Sequence, residues 1–219
     1  MTTTIHRSAL SGPGDLAGWH LEGPAVTSFP AGRLRLESGA DPSEGQAANF
    51  VAWLPVTHEG DVRISWSFRP LHEPGLAMIF WAARGRDGQD VLDPALPHRS
   101  GEYEQYHSGA IDAYHLSYYR RMWPSERALH TLNVRKSHGF HLVAQGPDPL
   151  PAAIDAEGDH RIELTWRGAE LTVEVAGLTC LRWTDDGGIG GPARRGGRIG
   201  LRQMAPLVAE YSDLLVEAI

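Results

Sequence analysis

Apolar and polar residues alternate with a period of two in one short run after another along this chain, and no long run follows the period of a helix. In GDVRISWSFRP, Val62, Ile64, Trp66 and Phe68 fall on one face of a strand, and Arg63, Ser65, Ser67 and Arg69 fall on the other. GRLRLES (residues 32–38) alternates in the same way. HRIELTWRGAELTVEVAG reads as two strands around a turn at Arg167-Gly168, and GRIGLRQMAP and AEYSDLLVEAI supply two more. GLAMIFWAARGRDG is apolar on both faces at its centre, as a central strand should be. Twenty-five Gly and fifteen Pro punctuate these runs, and only the short stretch PSERALHTL is compatible with a helix. Many short strands with such turns predict an all-β chain: one sandwich domain over residues 1–219, with two curved antiparallel sheets.

Composition narrows the partners. A formal net charge of -7 argues against nucleic acid and against anionic membranes, both of which select basic surfaces. No segment approaches the roughly 20 apolar residues of a membrane span. The N-terminal stretch MTTTIHRSALSGPGDLAG lacks the apolar core of a secretory signal. With Cys180 as the single cysteine, a cytoplasmic location is expected.

The densest chemistry lies in YHLSYYRRMW (114–123) and NVRKSHGFHLVAQG (133–146). As a strand, the first puts Tyr114, Leu116, Tyr118 and Arg120 on a core face, and turns His115, Ser117, Tyr119 and Arg121 to a groove. In the second, Leu132 and Val134 face the core and Asn133 and Arg135 the groove. After a turn at 137–139, Phe140, Leu142 and Ala144 return to the core, and His141 and Gln145 join the groove. Lys136 and His138 are placed on the rim. Lys136 stands out because the other nineteen basic residues are all Arg, which suggests a role that Arg does not fill.

Such a set suits an oligosaccharide, above all an acidic one. Arg presents a planar fork of donors to a carboxylate, and Asn and Gln pair with vicinal hydroxyls. For a lyase, His115 or Tyr119 would be the base. Ser117, Arg121, Asn133, Arg135, Lys136, His138, His141 and Gln145 would hold substrate and stabilise the enolate-like charge. A glycoside hydrolase needs two carboxylates about 5–10 Å apart; the nearest, Asp112 and Glu126, are both expected off the groove face. A lectin-like protein would use the same groove without chemistry, and the polar face also suits a homodimer interface. Six of the eleven histidines fall between His98 and His141, but their spacing matches no zinc motif. No cofactor is expected, although acidic loops such as Asp185-Asp186 offer carboxylates for a structural Ca²⁺.

The opening GWHLEGPAVTSFPAGRLRLES, the hairpin LTWRGAELTVEVAGLTCLRWTDD and the closing GGRIGLRQMAPLVAEYSDLLV resemble the concanavalin A-like sandwich superfamily. The central HSGAIDAYHLSYYRRMWPSERALHTLNVRKSHGFHLVAQGPDPLP closely resembles the YesU-like proteins, a family defined as a domain of unknown function. The resemblance spans nearly the whole chain. It implies a jelly roll and a link to plant cell-wall polysaccharides, including rhamnose-containing ones, but no assigned reaction.

Overall fold

Period-two runs become strands because alternate side chains then reach a common apolar layer, and in this protein two sheets share that layer. The computed structural model describes residues 2–219. One sheet contains β1 (Thr3–Ser8), β3 (Ala25–Ser28), β4 (Leu34–Ser38), β6 (Val62–His72), β11 (His160–Arg167), β12 (Glu170–Val175), β13 (Leu178–Thr184) and β15 (Val208–Ala218). The other contains β2 (His20–Glu22), β5 (Phe50–Glu59), β7 (Leu76–Gly85), β8 (Ile111–Tyr118), β9 (Thr131–Ser137), β10 (His141–Pro147) and β14 (Gly196–Met204). Its spatial order is β10-β9-β8-β7-β14-β5-β2, and every pair is antiparallel. The expected jelly-roll sandwich is therefore present. Two short helices interrupt it, α1 (Glu104–His107) and α2 (Pro124–Leu129), the second within the predicted PSERALHTL stretch.

The inner layer follows the predicted parity. Val62, Ile64, Trp66 and Phe68 are fully buried, facing Ile79, Trp81, Leu116 and Tyr118 from the opposite sheet. The Trp66 and Phe68 rings lie 5.6 and 5.2 Å from that of Tyr118. β7 is apolar on both faces because it has a second layer to serve. Met78 and Phe80 point away from the sandwich into a smaller cluster with Val51, Trp53, Val91, Tyr106, Ile111 and Ala113. The excursion between β7 and β8, which carries α1, folds back over the outer face of the seven-stranded sheet to build this cluster. It covers part of that face, and the uncovered part is the groove. Within the covered part Gly200 lies under the Trp53 indole, where a Cβ would stand 2.5 Å from a ring carbon.

Candidate functional site

Antiparallel registry places side chains from five strands side by side on the outer face. One cross-strand row runs Arg202 (β14), Met78 (β7), Ser117 (β8), Asn133 (β9) and Gln145 (β10). The next runs Gly200, Phe80, His115, Arg135 and Leu142. Directly opposed residues sit within about 5.5 Å of one another, so each row is a continuous strip of chemistry. A cavity of about 280 Å³ opens over these rows, lined by Ser117, Asn133, Arg135 and Arg202, with Gln46 and Tyr103 from flanking segments and Trp123, Glu126 and Phe140 at its edges.

The site is held together by a few directed contacts. Gln145 donates from Nε2 to Asn133 Oδ1 at 2.8 Å, fixing the amide orientation at one end. Arg135 lies 3.6 Å over the Phe140 ring and donates to the Phe140 carbonyl at 2.9 Å. Arg202 is fully buried; its Nη2 donates to Gln46 Oε1 at 3.3 Å and to the Gly101 carbonyl at 3.2 Å, and its guanidinium lies 4.6 Å from the Tyr103 ring centroid. Its Nε and Nη1 groups have no acceptor among the described residues. Burial lowers the Arg202 pKa to about 10, with only the phenols of Tyr103 and Tyr106 opposing. Neither Arg135 nor Arg202 meets a carboxylate among the described residues, whereas nearby Arg120 is paired with Glu126 at 2.7 Å.

His115 lies on the groove side, beneath the lining. Its Nε2 is 3.1 Å from Tyr103 Oη, and its ring packs edge-on against Phe80. Burial, reinforced by the charges of Arg135, His107 and Arg202, holds its pKa well below the usual 6.5, so the imidazole is neutral. Nδ1 is buried without a partner among the described residues. An orphaned N–H is rarer in folded proteins than an orphaned acceptor, which favours the tautomer in which Nε2–H donates to Tyr103. Burial in turn raises the Tyr103 phenol to about 12, against the pull of Arg202, Arg135 and Arg120.

Strand parity thus brings His115, Ser117, Asn133, Arg135 and Gln145 together; the other candidates lie elsewhere. Tyr119 follows the last residue of β8 and has a left-handed backbone (φ 49°), which ends the alternation and turns its ring into the sandwich core against Phe68. Its hydroxyl donates to Glu73. Arg121 is buried against Asp148 at 3.2 Å and the Leu150 carbonyl at 2.9 Å. Lys136 is fully buried on the opposite face, 2.6 Å from Asp185. A bulge between Leu142 and Ala144 inverts the start of β10, so His141 pairs with Lys136 and leaves the groove face, while Leu142 joins it. Phe140 and Leu142, expected in the core, are 49% and 40% exposed. His138 lines a separate, larger cleft of about 1010 Å³ with Arg86, Asp112 and Arg194. There Arg194 and Asp112 pair at 3.1 Å, and the His138 Nδ1 engages the Gly109 carbonyl at 3.0 Å.

Glu126 departs from its expected place and lines the groove, but Oε1 accepts from Arg120 and Oε2 from the amides of Met122 and Trp123. Asp185, offered above for Ca²⁺, instead binds Lys136, Tyr114 and the Gly187 amide. Among the described residues no three His, Cys, Asp or Glu side chains form a metal-binding group. No described helix is long and apolar enough to cross a membrane. Tyr119→Phe is expected to cost about 1–2 kcal/mol by removing the bond to Glu73, and to leave ligand affinity unchanged; paired thermal melts and titrations check both.

The family profile described as Domain of unknown function (DUF1961) matches residues 3–216. The chain belongs to this family. A DUF1961 relative, the uncharacterized protein YesU of Bacillus subtilis (strain 168), is 43% identical over 212 residues, covering 97% of this chain and 94% of YesU. A crystal structure of a protein of unknown function with a galectin-like fold, also from Bacillus subtilis, superposes with a TM-score of 0.92 at 42% identity, covering 99% of this chain and 97% of that one. At 13% identity the DUF1961 sandwich also resembles in fold the potassium-bound carbohydrate recognition domain of Emp46p, with a TM-score of 0.61 over 95% of this chain and 94% of that one.

Proposed function

We propose that this DUF1961 protein is carbohydrate-active and takes an acidic saccharide in the groove over β14, β7, β8 and β9, the uronate carboxylate lying between Arg135 and Arg202. One observation carries this reading: two buried or half-buried guanidiniums line the groove with no carboxylate partner among the described residues, and one of them, Arg202, has its Nε and Nη1 donors unused there. A buried unpaired charge is strongly unfavourable, and a ligand carboxylate relieves it with charge-assisted, bidentate geometry. Ser117, Asn133 and Gln145 are placed for sugar hydroxyls. The carbohydrate recognition domain of Emp46p, built on the same fold, is in keeping with a saccharide partner.

The chemistry that fits the groove is β-elimination, with Tyr103 in the position first expected of Tyr119. Ionised Tyr103 takes the proton from the carbon beside the carboxylate. That C–H electron pair becomes the new double bond to the neighbouring carbon, and the bond from that carbon to the glycosidic oxygen breaks. The departing oxygen then recovers the proton from Tyr103. His115 Nε2–H stabilises the phenolate, and the two guanidiniums stabilise the charge that develops on the carboxylate. Hydrolysis is disfavoured because Glu126 is the one carboxylate lining this cavity and both of its oxygens are engaged.

The test is incubation with oligogalacturonides, rhamnogalacturonan fragments and neutral galactan oligosaccharides, following binding by calorimetry and unsaturated uronate by ultraviolet absorbance. Acidic chains should bind and neutral ones should not. Because Tyr103 ionises far above neutrality, the elimination rate should rise about tenfold per pH unit from neutral into mildly alkaline pH. Binding with no product at any pH would leave a lectin-like protein; preference for neutral chains would overturn the acidic reading.

A further inference from the structure

Trp123 is the one tryptophan that the fold does not bury. Trp53, Trp66, Trp81 and Trp166 are fully buried, and Trp19 and Trp183 pack against the core, but Trp123 is 55% exposed at the edge of the groove. Among the described residues it has neither an aromatic nor a cationic partner, in contrast to Phe140, whose ring already lies under Arg135.

The backbone beneath this free indole is unusually well held. Glu126 Oε2 accepts the amides of Met122 and Trp123, each at 3.1 Å, and Arg120 anchors the same carboxylate through Oε1. Arg127 Nη1 donates to the carbonyls of Arg121 and Met122 at 3.0 and 2.9 Å, and the Arg121 amide donates to the Gly75 carbonyl at 2.8 Å. An exposed aromatic on a fixed pedestal beside a polar groove presents a flat apolar surface at little entropic cost on binding. The apolar C–H face of a pyranose ring is complementary to such a surface, and its hydroxyls remain free for solvent or for the groove floor.

We propose that Trp123 is the stacking platform for a second sugar ring, so that the protein selects a saccharide of at least two residues, one on Arg135 and Arg202 and its neighbour on the indole. This rests on the acidic-saccharide reading for the first ring only. The cavity, at about 280 Å³, suits one ring, and the extension over Trp123 supplies the next.

Calorimetry with galacturonate, digalacturonate and trigalacturonate on the full chain, as wild type, Trp123→Ala and Trp123→Phe, tests this. In wild type, affinity should rise about tenfold from monomer to dimer. Trp123→Ala should abolish that rise while keeping monomer affinity within about twofold of wild type, and Trp123→Phe should restore most of it. A monomer-to-dimer gain that survives in Trp123→Ala, or no gain in wild type, would overturn the platform while leaving the acidic reading intact. If neutral disaccharides bind in a Trp123-dependent way and no uronate binds, the platform stands and the acidic reading falls.

Discussion

Lys136→Ala is expected to destabilise the protein by about 3–5 kcal/mol, read as a lower urea midpoint at neutral pH, because it leaves the Asp185 carboxylate buried without its cation. The two side chains are 2.6 Å apart and essentially inaccessible. Burial alone would raise the Asp185 pKa, but hydrogen bonds from Lys136, Tyr114 and the Gly187 amide hold it below its ordinary value. A depressed carboxyl contributes stability that is complete above its unfolded pKa of about 3.9 and is lost as pH falls through the lower folded value. In Lys136→Ala burial becomes the dominant effect, and protonating Asp185 relieves the stranded charge. The gap between wild type and variant should therefore begin to shrink above about pH 4, where Asp185 of the variant takes up its proton, and go on shrinking down to the depressed folded pKa of wild type. A gap that stays constant into acid would show that the loss comes from packing rather than from the ion pair. Lys136→Arg should also destabilise, by about 1–3 kcal/mol, because the loop at Gly190-Gly191 lies directly on the lysine stem and leaves no space for a guanidinium.

Lys136 also shows where sequence reasoning strayed. Leu132 and Val134 were expected to face the core, and Lys136 shares their parity, so the alternation itself pointed the lysine inward. Its place directly after Asn133 and Arg135 and before the turn at 137–139 suggested the rim instead. The scarcity of lysine did mark a residue with a particular task, a compact ammonium against Asp185 and the Gly191 carbonyl, but the task is structural. Parity placed His115, Ser117, Asn133 and Arg135 on the groove side because β8 and β9 are regular from Ala113 to Ser117 and from Asn133 to Ser137. It failed where the ladder is irregular: at Tyr119, whose positive φ no residue type announces, and at the β10 bulge, which exchanges His141 for Leu142. Tyr103 and Arg202 went unread for different reasons. Tyr103 belongs to the excursion between β7 and β8, which has no periodicity. Arg202 was legible in outline, since Leu201 faces the core and its neighbour must face outward, but only long-range pairing brings it to a motif nearly seventy residues away.

Arg202→Met should separate stability from binding, with opposite signs. The drop in Arg202 pKa from 12.5 to about 10 corresponds to roughly 3 kcal/mol of penalty on the charged form, and no carboxylate among the described residues offsets it. Methionine keeps much of the side-chain volume and removes the charge, and replacing poorly compensated buried ions by apolar groups is commonly stabilising by about 1–4 kcal/mol. The loss of the contacts to Gln46 and to the Gly101 carbonyl works against this, so a net gain of about 1–2 kcal/mol is expected, a rise of about 2–8 °C in Tm. Affinity for oligogalacturonides should meanwhile fall by about a hundredfold or more, since a desolvated charge contact to the carboxylate is lost. This trade of stability for recognition is what a preorganised anion site requires: the charge is buried in advance, so that the ligand does not have to reorganise it. A variant that is less stable and binds as well as wild type would instead make Arg202 a structural tie between Gln46, Gly101 and the Tyr103 ring.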